Sequence, residues 1–543
     1  MRWFIVYSSV ILLVPISIAA PTTPQNSITK DGLNEEWYPV PEAYPRLNSV
    51  PFYPNNTTRI TNSTSGRGSP DDPLHSYLVL LHNNETRPWG DVFDDIGFAV
   101  KKIELHGSGF HFEGEEDEDH GHNAFEIDEG TRITTFGTHI RMFTMEMLES
   151  EAESMGGLDS IAEVSKNQPI YGGLYGVSIM PKHSRQLYNA TNSESTFEKR
   201  QQQQVLSGNQ GEVQTQRGAP WGLQRISEAN RVPPNVGSGP TGLDFTYMYD
   251  SSAGKGVDVY MLDSGKDGLL SLEVIKADLG WLTLKFIKIG INVEHVDFGG
   301  RAKMVFSAWG PNHMYDDDQV GHGTHTAGTV GSATYGVAKG VNLFGLKVLD
   351  SRNSGTSDGF AAAFVRALAM HEQRRKEPGF VGSVISASIG NMPHVPAMFN
   401  IIQEATNRGM HISFSAMNDN KDACSSYPGG YSTRLPIFNV GATDINDNRA
   451  KFSNFGKCIT MHGPGVSILS TTNRNNQGSN NLDGTSMACP AVSGLIALEL
   501  AKNPNLRFDP AGMKRHILQM SLGGKLSGTS GGDTIMNNGI KNR

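Results

Sequence analysis

After Pro220 the chain falls into short apolar runs separated by polar, turn-rich stretches: "GVDVYML", "NLFGLKVL", "SVISASI", "HISFSAM" and "IFNVGAT". The runs are continuous rather than alternating, the pattern of strands buried on both faces. Helical periodicity lies between several of them. In "SDGFAAAFVRALAMHEQRRKE", Ser357 and Asp358 are placed to cap, and Phe360, Phe364 and Leu368 share a face. In "PAMFNIIQEATNRGM", Pro396 opens a helix and Gly409 stops it. This alternation predicts an α/β fold, a parallel sheet flanked by helices, with functional groups beyond the carboxyl ends of its strands.

The first part of the chain has a different texture. "HSYLVLLHNN", "ITTFGTHIRMFTMEMLESEAESMGGL" and "QPIYGGLYGVSIMPKH" predict a small α+β domain over residues 76–183. Residues 21–75 are rich in Pro, Asn, Ser and Thr and read as a polar linker. A second linker over 184–217 includes "EKRQQQQVLSGNQGEVQTQR", with Lys199-Arg200 near the head of that stretch as a processing site. The block "HFEGEEDEDHGH" (His111 to His122) reads as a solvated acidic loop, with a metal site as its alternative.

The opening "MRWFIVYSSVILLVPISIAAP" has the layout of a signal peptide over residues 1–20. A membrane anchor fits less well, because Ser8, Ser9 and Pro15 interrupt a run shorter than the roughly 20 residues needed to span. Acceptor tripeptides for N-glycosylation at Asn55, Asn56, Asn62, Asn84 and Asn189 point to the same secretory route. The mature protein is expected to be free of the membrane. The net charge of −9 over 543 residues argues against nucleic acid as a partner. Cys424, Cys458 and Cys489 are an odd number, so in an oxidising compartment one pair can bridge and one thiol remains.

Chemistry concentrates at three places. "VDVYMLDSG" puts Asp263 just past a strand, "VGHGTHTAGTVGSA" puts His322 before a helix of small residues, and "LDGTSMACPAVSGLIALEL" puts Ser486 at the mouth of another. Taken singly, these could be a turn residue, a core histidine and a helix cap. Together they are the three parts of an activated serine, whose hydroxyl needs an imidazole to take its proton and a carboxylate to orient that imidazole. The order Asp, His, Ser is among the orders such triads take. His322 and His325 lack the Glu of a His-Glu-x-x-His zinc site, and "GTSMA" is not Gly-x-Ser-x-Gly.

The segments "DSG", "GHGTHTAG" and "GTSMACP" closely resemble the signatures of subtilisin-like serine proteases, over about residues 218 to 530. "GAPWGLQRIS", "YGVAKGVNLFGLKVL", "NDNKDAC" and "FSNFGKCITMHGPGVSILST" look most like the fungal proteinase K and cerevisin branch. The resemblance implies a subtilisin-like catalytic domain over 218–543, preceded by a small α+β inhibitor-type propeptide domain. It implies a serine endopeptidase made as a secreted or vacuolar zymogen, a monomer acting on protein or peptide substrates, with its own propeptide as intramolecular inhibitor. Asp263, His322 and Ser486 would be catalytic, Asn418 in "SAMNDN" would donate to the oxyanion, and Ser388, Ile389 and Gly390 in "SASIGN" would hold the substrate main chain. The cerevisin-like context also suggests a Cys424–Cys458 disulfide, two buried thiols being the alternative, and leaves Cys489 to packing. No cofactor is implied for catalysis. Family members often carry structural calcium, but no ligand cluster is assigned here.

The chain departs from that pattern at Met417 and Asn391, where relatives usually have Gly, and at Ala491, where they usually have His. A bulky Met beside the oxyanion donor could displace it. The larger departure is Lys266–Gly290, a greasy run where relatives pass straight from the Asp-Ser-Gly corner into a stretch like "INVEHVDFGGRA". It reads as an insertion, and specifically as a retained intron translated in frame. Gly265-Lys266 can be written GGT-AAG with a donor site, Leu282-Thr283 CTA-ACT with a branch sequence, and Ile289-Gly290 ATA-GGT with a terminal AG. The alternative is a genuine loop insertion, and a catalytically impaired or noncatalytic peptide-binding form of the same fold is the corresponding alternative function.

Overall fold

The computed structural model describes residues 74–87, 91–92, 114–115, 124–125, 132–136, 140–172, 211–233, 239–264, 291–308, 321–350, 353–529 and 532–540. The signal peptide, most of both linkers, the acidic block apart from Gly114–Glu115, and Lys266–Gly290 lie outside the described residues, as do the acceptor asparagines other than Asn84, which is exposed.

The upstream segment builds an antiparallel sheet from β1 (Leu74–Leu81), β2 (Arg132–Phe136), β3 (Ile140–Leu148) and β4 (Ile161–Lys166), in the order β2-β3-β1-β4. Alternation of side chains sorts its two faces. Tyr77, Val79, Phe143 and Met145 pack with helix α1 (Glu149–Met155). Leu78, Leu80, Ile140 and Met142 join a second core that continues into the larger part of the molecule. The strand β5 (Pro169–Gly172) then leaves this sheet for another.

The larger part opens with β6 (Val213–Ala219), helix α2 (Trp221–Ser227) and β7 (Phe245–Asp250), the two strands pairing antiparallel. Its centre is a seven-stranded parallel sheet. The strands are β8 (Val257–Ser264), β9 (Ala302–Ser307), β10 (Asn342–Leu349), β12 (Gly382–Ala387), β14 (His411–Ser415), β15 (Phe438–Thr443) and β16 (Met461–Pro464), ordered β9-β10-β8-β12-β14-β15-β16. The continuous apolar runs are these strands, buried because helices cover both faces. Val257, Val259 and Met261 face α3 (His322–Gly331), α6 (Thr485–Lys502) and α7 (Pro510–Met520). Tyr260 and Leu262 face the opposite way, toward α4 (Ser357–Arg374) and α5 (Pro396–Asn407). The short strands β11 (Ser354–Thr356) and β13 (Ile389–Gly390) flank β5 on its two sides, and β17 (Ile468–Thr471) pairs with β18 (Ser479–Leu482) as a hairpin.

Ser357 and Asp358 do not cap α4 as expected from sequence; the cap position is Thr356, without a side-chain cap bond. Their groups serve the upstream segment instead. Ser357 Oγ donates to Asn167 Oδ1 at 2.7 Å and accepts from the Gln168 N–H at 3.0 Å, while Asp358 Oδ1 accepts from Asn167 Nδ2 at 2.9 Å. A partner this distant in sequence offers a local pattern no signal.

Helix α2 is fastened by a buried pair. Arg225 Nε and Nη2 reach Asp447 Oδ1 and Oδ2 at 2.7 and 3.1 Å. Removing one partner of such a pair strands a buried charge, so Arg225→Ala is expected to cost about 3–5 kcal/mol in chemical denaturation; a loss under about 1 kcal/mol would show the pair to be dispensable.

Burial holds His325, His371, His411 and His462 neutral, each lowered to about 4 from an ordinary 6.5. Their folded values lie below the unfolded one, so the unfolded chain takes up the extra protons between those limits. Their stabilisation is therefore complete above pH 6.5 and is lost as pH falls toward 4. The urea midpoint should drop between pH 7 and pH 4.5, and a flat or rising midpoint would contradict this.

Candidate active site

Asp263 continues the β8 alternation of Val257, Val259 and Met261, so its side chain points to the α3 and α6 layer. The strand runs further than the sequence suggested, because Asp263 still pairs with Lys347 of β10. Strand β8 is also the topological switch point of the sheet, with β10 on one side and β12 on the other, where open α/β sheets form a crevice.

His322 is the first residue of α3, and its Nδ1 lies 2.5 Å from Asp263 Oδ1. The carboxylate is held from several directions. Oδ1 also accepts from the Ser264 N–H at 2.7 Å, and Oδ2 accepts from Thr326 Oγ1 at 2.9 Å. Thr326 was missed in the sequence, although it sits four residues after His322 and so on the same helix face. Ser264 Oγ accepts from the Gly323 N–H at 3.1 Å, tying the end of β8 to the first turn of α3. With a carboxylate on Nδ1, the imidazole carries its proton there, which makes Nε2 the acceptor nitrogen of the ring.

Ser486 is the second residue of α6, so its N–H belongs to the first turn, where amides have no partner within the helix. Pro490 stands inside this helix and has no N–H to give to the carbonyl four residues earlier, that of Ser486. Ser388 Oγ supplies the missing bond, donating to Ser486 O at 2.9 Å. Ser388 follows directly on β12, the strand next to β8, so the serine and the carboxylate–imidazole pair sit over neighbouring strands at the same sheet edge. Adjacent strands are about 4.8 Å apart. Helices α3 and α6 pack against each other on that face.

Asn418 lies just past β14, the next strand. Its Oδ1 accepts from both the N–H and Oγ1 of Thr485, each at 2.9 Å, which fixes the amide orientation and turns Nδ2 away from Thr485. Asn454 braces the loop: its Oδ1 accepts from the Asp419 and Lys421 N–H groups, and its own N–H donates to Met417 O. The Cys424–Cys458 disulfide closes the same region. Met417 and Asn391 both adopt positive φ, 75° and 60°, the left-handed conformation that favours glycine.

His325 is not a second functional imidazole. Its Nε2 donates to the carbonyls of Ile468 and Asn480 in the β17–β18 hairpin. Cys489 lies on the buried face of α6 with its Sγ against Ser413 O, and burial pushes its thiol up to about 11. Among the described residues, no group of three or more His, Cys, Asp and Glu could hold a metal ion, and no helix is long and apolar enough to cross a membrane.

The crevice edge carries a strand from upstream. β5 pairs antiparallel with β13 and with β11, Gly172 opposite Ile389 and Tyr171 opposite Gly390 and Ser354. It pairs with the two residues that follow Ser388, which holds Ser486.

A family model described as "Subtilase family" matches residues 254–540. "Cerevisin" of Saccharomyces cerevisiae is 36% identical over 298 residues, covering 54% of this chain and 40% of that protein. "Alkaline protease 2" of Aspergillus fumigatus is 35% identical over 330 residues, 58% of each chain. "Subtilisin-like protease 8" of Trichophyton verrucosum is 34% identical over 323 residues, covering 56% of this chain and 58% of that protein. The matched stretch thus spans about half the length of these relatives. A cold adapted subtilisin-like serine proteinase of solved structure is 29% identical, with a TM-score of 0.47 over 59% of this chain and 98% of that one.

Proposed function

Since this chain belongs to the subtilase family, we propose that it is a serine endopeptidase, made in the secretory pathway as a zymogen for secretion or the vacuole. Ser486 Oγ attacks the peptide carbonyl while His322 Nε2 takes its proton. Asp263 keeps Nδ1 protonated and stabilises the imidazolium that forms. The Asn418 Nδ2–H and the Ser486 N–H stabilise the oxyanion. Collapse of the tetrahedral intermediate passes the proton from His322 to the leaving amine, and water then hydrolyses the acyl-enzyme by the same steps in reverse order. The observation that carries this reading is the hydrogen bond from buried His322 to Asp263 at the sheet edge where the first turn of α6 carries Ser486.

The upstream domain, in this reading, is an intramolecular inhibitor. Its support is β5, which takes up the edge of β13 as a bound peptide would. Its sheet also shares a core with α4 and α5.

A fluorophosphonate tests the activity, since only an activated serine reacts with it. The purified chain should be labelled at Ser486, and Ser486→Ala should abolish the label. An unlabelled chain that also leaves an unstructured protein uncut would exclude the reading and favour a noncatalytic form.

A further inference from the structure

The peptide edge has two positions where a bound side chain would meet a side chain already in place. Paired residues of adjacent strands present their side chains on the same face. A peptide lying along β13 like β5 has a residue opposite Ile389 and, one step nearer Ser486, a residue opposite Ser388. The latter shares a face with the position of the missing Cβ of Gly390, two residues along. That space belongs to Met417: a Cβ on Gly390 would stand 2.6 Å from its Cγ and 2.7 Å from its Sδ. Met417 is buried, and Ser415 Oγ is directed to its sulfur at 3.6 Å. Its side chain therefore fills the gap between the strand end at Ser388–Gly390 and the loop that carries Asn418.

On the other face the neighbour is a different side chain, that of Asn353. Gly172, opposite Ile389, donates its N–H to Asn353 O at 3.0 Å. A Cβ on Gly172 would lie 2.6 Å from Asn353 Cγ and closer still to the amide atoms. Asn353 holds φ 62°, and its N–H is tied to Asp350 O at 3.0 Å, so its backbone is set. Further from Ser486 the edge is generous. Tyr171 is exposed, while Ile170 is fully buried in the core beside Val348. The sequence of this strand is Ile170-Tyr171-Gly172, and the next residue is Gly173.

We propose that Met417 and Asn353 restrict this cleft to glycine at both residues before the cleaved bond, with a branched aliphatic residue two positions before the first glycine. The substrate class is then glycine-rich peptide of the Ile-x-Gly-Gly type. This rests on the peptidase reading above and narrows its substrate.

The test uses protein purified after expression of the full chain and acetylated tetrapeptide coumarin amides: Ile-Tyr-Gly-Gly, Ile-Tyr-Gly-Phe and Ile-Tyr-Leu-Gly. Wild-type kcat/KM should favour the double-glycine peptide over each of the others by about 10- to 200-fold, the range a shaped apolar site delivers. Met417→Gly should bring the Gly-to-Phe ratio at the last residue close to unity while discrimination at the preceding residue persists. Asn353→Gly should do the converse. Met417→Ala stands in if the glycine variant does not take a fluorophosphonate label. Labelling with equal cleavage of all three peptides, or ratios unmoved by both substitutions, overturns the glycine restriction alone. A wild-type chain that neither labels nor cleaves overturns the activity and this inference together.

Discussion

Asp263→Asn should lower kcat for a peptide substrate by about 10,000-fold while KM changes little. The carboxylate accepts from the Ser264 N–H, from His322 Nδ1 and from Thr326 Oγ1, so nothing but an acceptor fits on its Oδ1 side. An amide has a single oxygen to offer. If its nitrogen faces His322, the imidazole must present a bare Nδ1 and carry its proton on Nε2, where it can no longer accept one from serine. If its nitrogen turns to Thr326, the tautomer survives but the charge that stabilises imidazolium is gone. Asp263 touches no substrate in either case, which is why the loss belongs in kcat. A variant within tenfold of wild type would remove Asp263 from the mechanism.

Deleting Lys266–Gly290 should raise the activity per milligram of chain severalfold, by raising the share that folds and not by changing the triad geometry. The ends that remain are already neighbours. Ser264 Oγ holds the Gly323 N–H, and the Asn292 N–H donates to Thr324 Oγ1 at 3.0 Å, so both ends dock on consecutive residues of α3. Ile291 is buried in the core against Gly345. Gly265 can therefore link Ser264 to Ile291 without moving the corner that holds Asp263. The apolar run also favours aggregation of the chain that carries it. Equal cleavage of an unstructured protein by both forms would contradict the expectation, and a spliced transcript that keeps the segment, with no GT and AG at its edges, would end the intron reading.

Strands and helices of the larger part were readable because their burial is two-sided and their stops are local: apolar runs such as "GVDVYML", and Pro396 and Gly409 around α5. Contacts across the chain left no such mark. The short strand β5 earns its place by pairing with β11 and β13, far away in sequence, and nothing in "PIYG" alone announces that. Asn353 escaped notice for the same reason, as did the use of Ser357 and Asp358 by Asn167. Pro490 was visible as part of a motif, but the carbonyl it releases could be assigned only once Ser388 was seen beside it.

That last contact has a mechanical side. Because Ser388 grips the backbone of Ser486 and leads directly into Ile389–Gly390, the proposed nucleophile and the proposed peptide-binding ledge hang from a common mount. A shift of Ser388 would therefore displace both together, so their mutual aim hangs on one anchor instead of two.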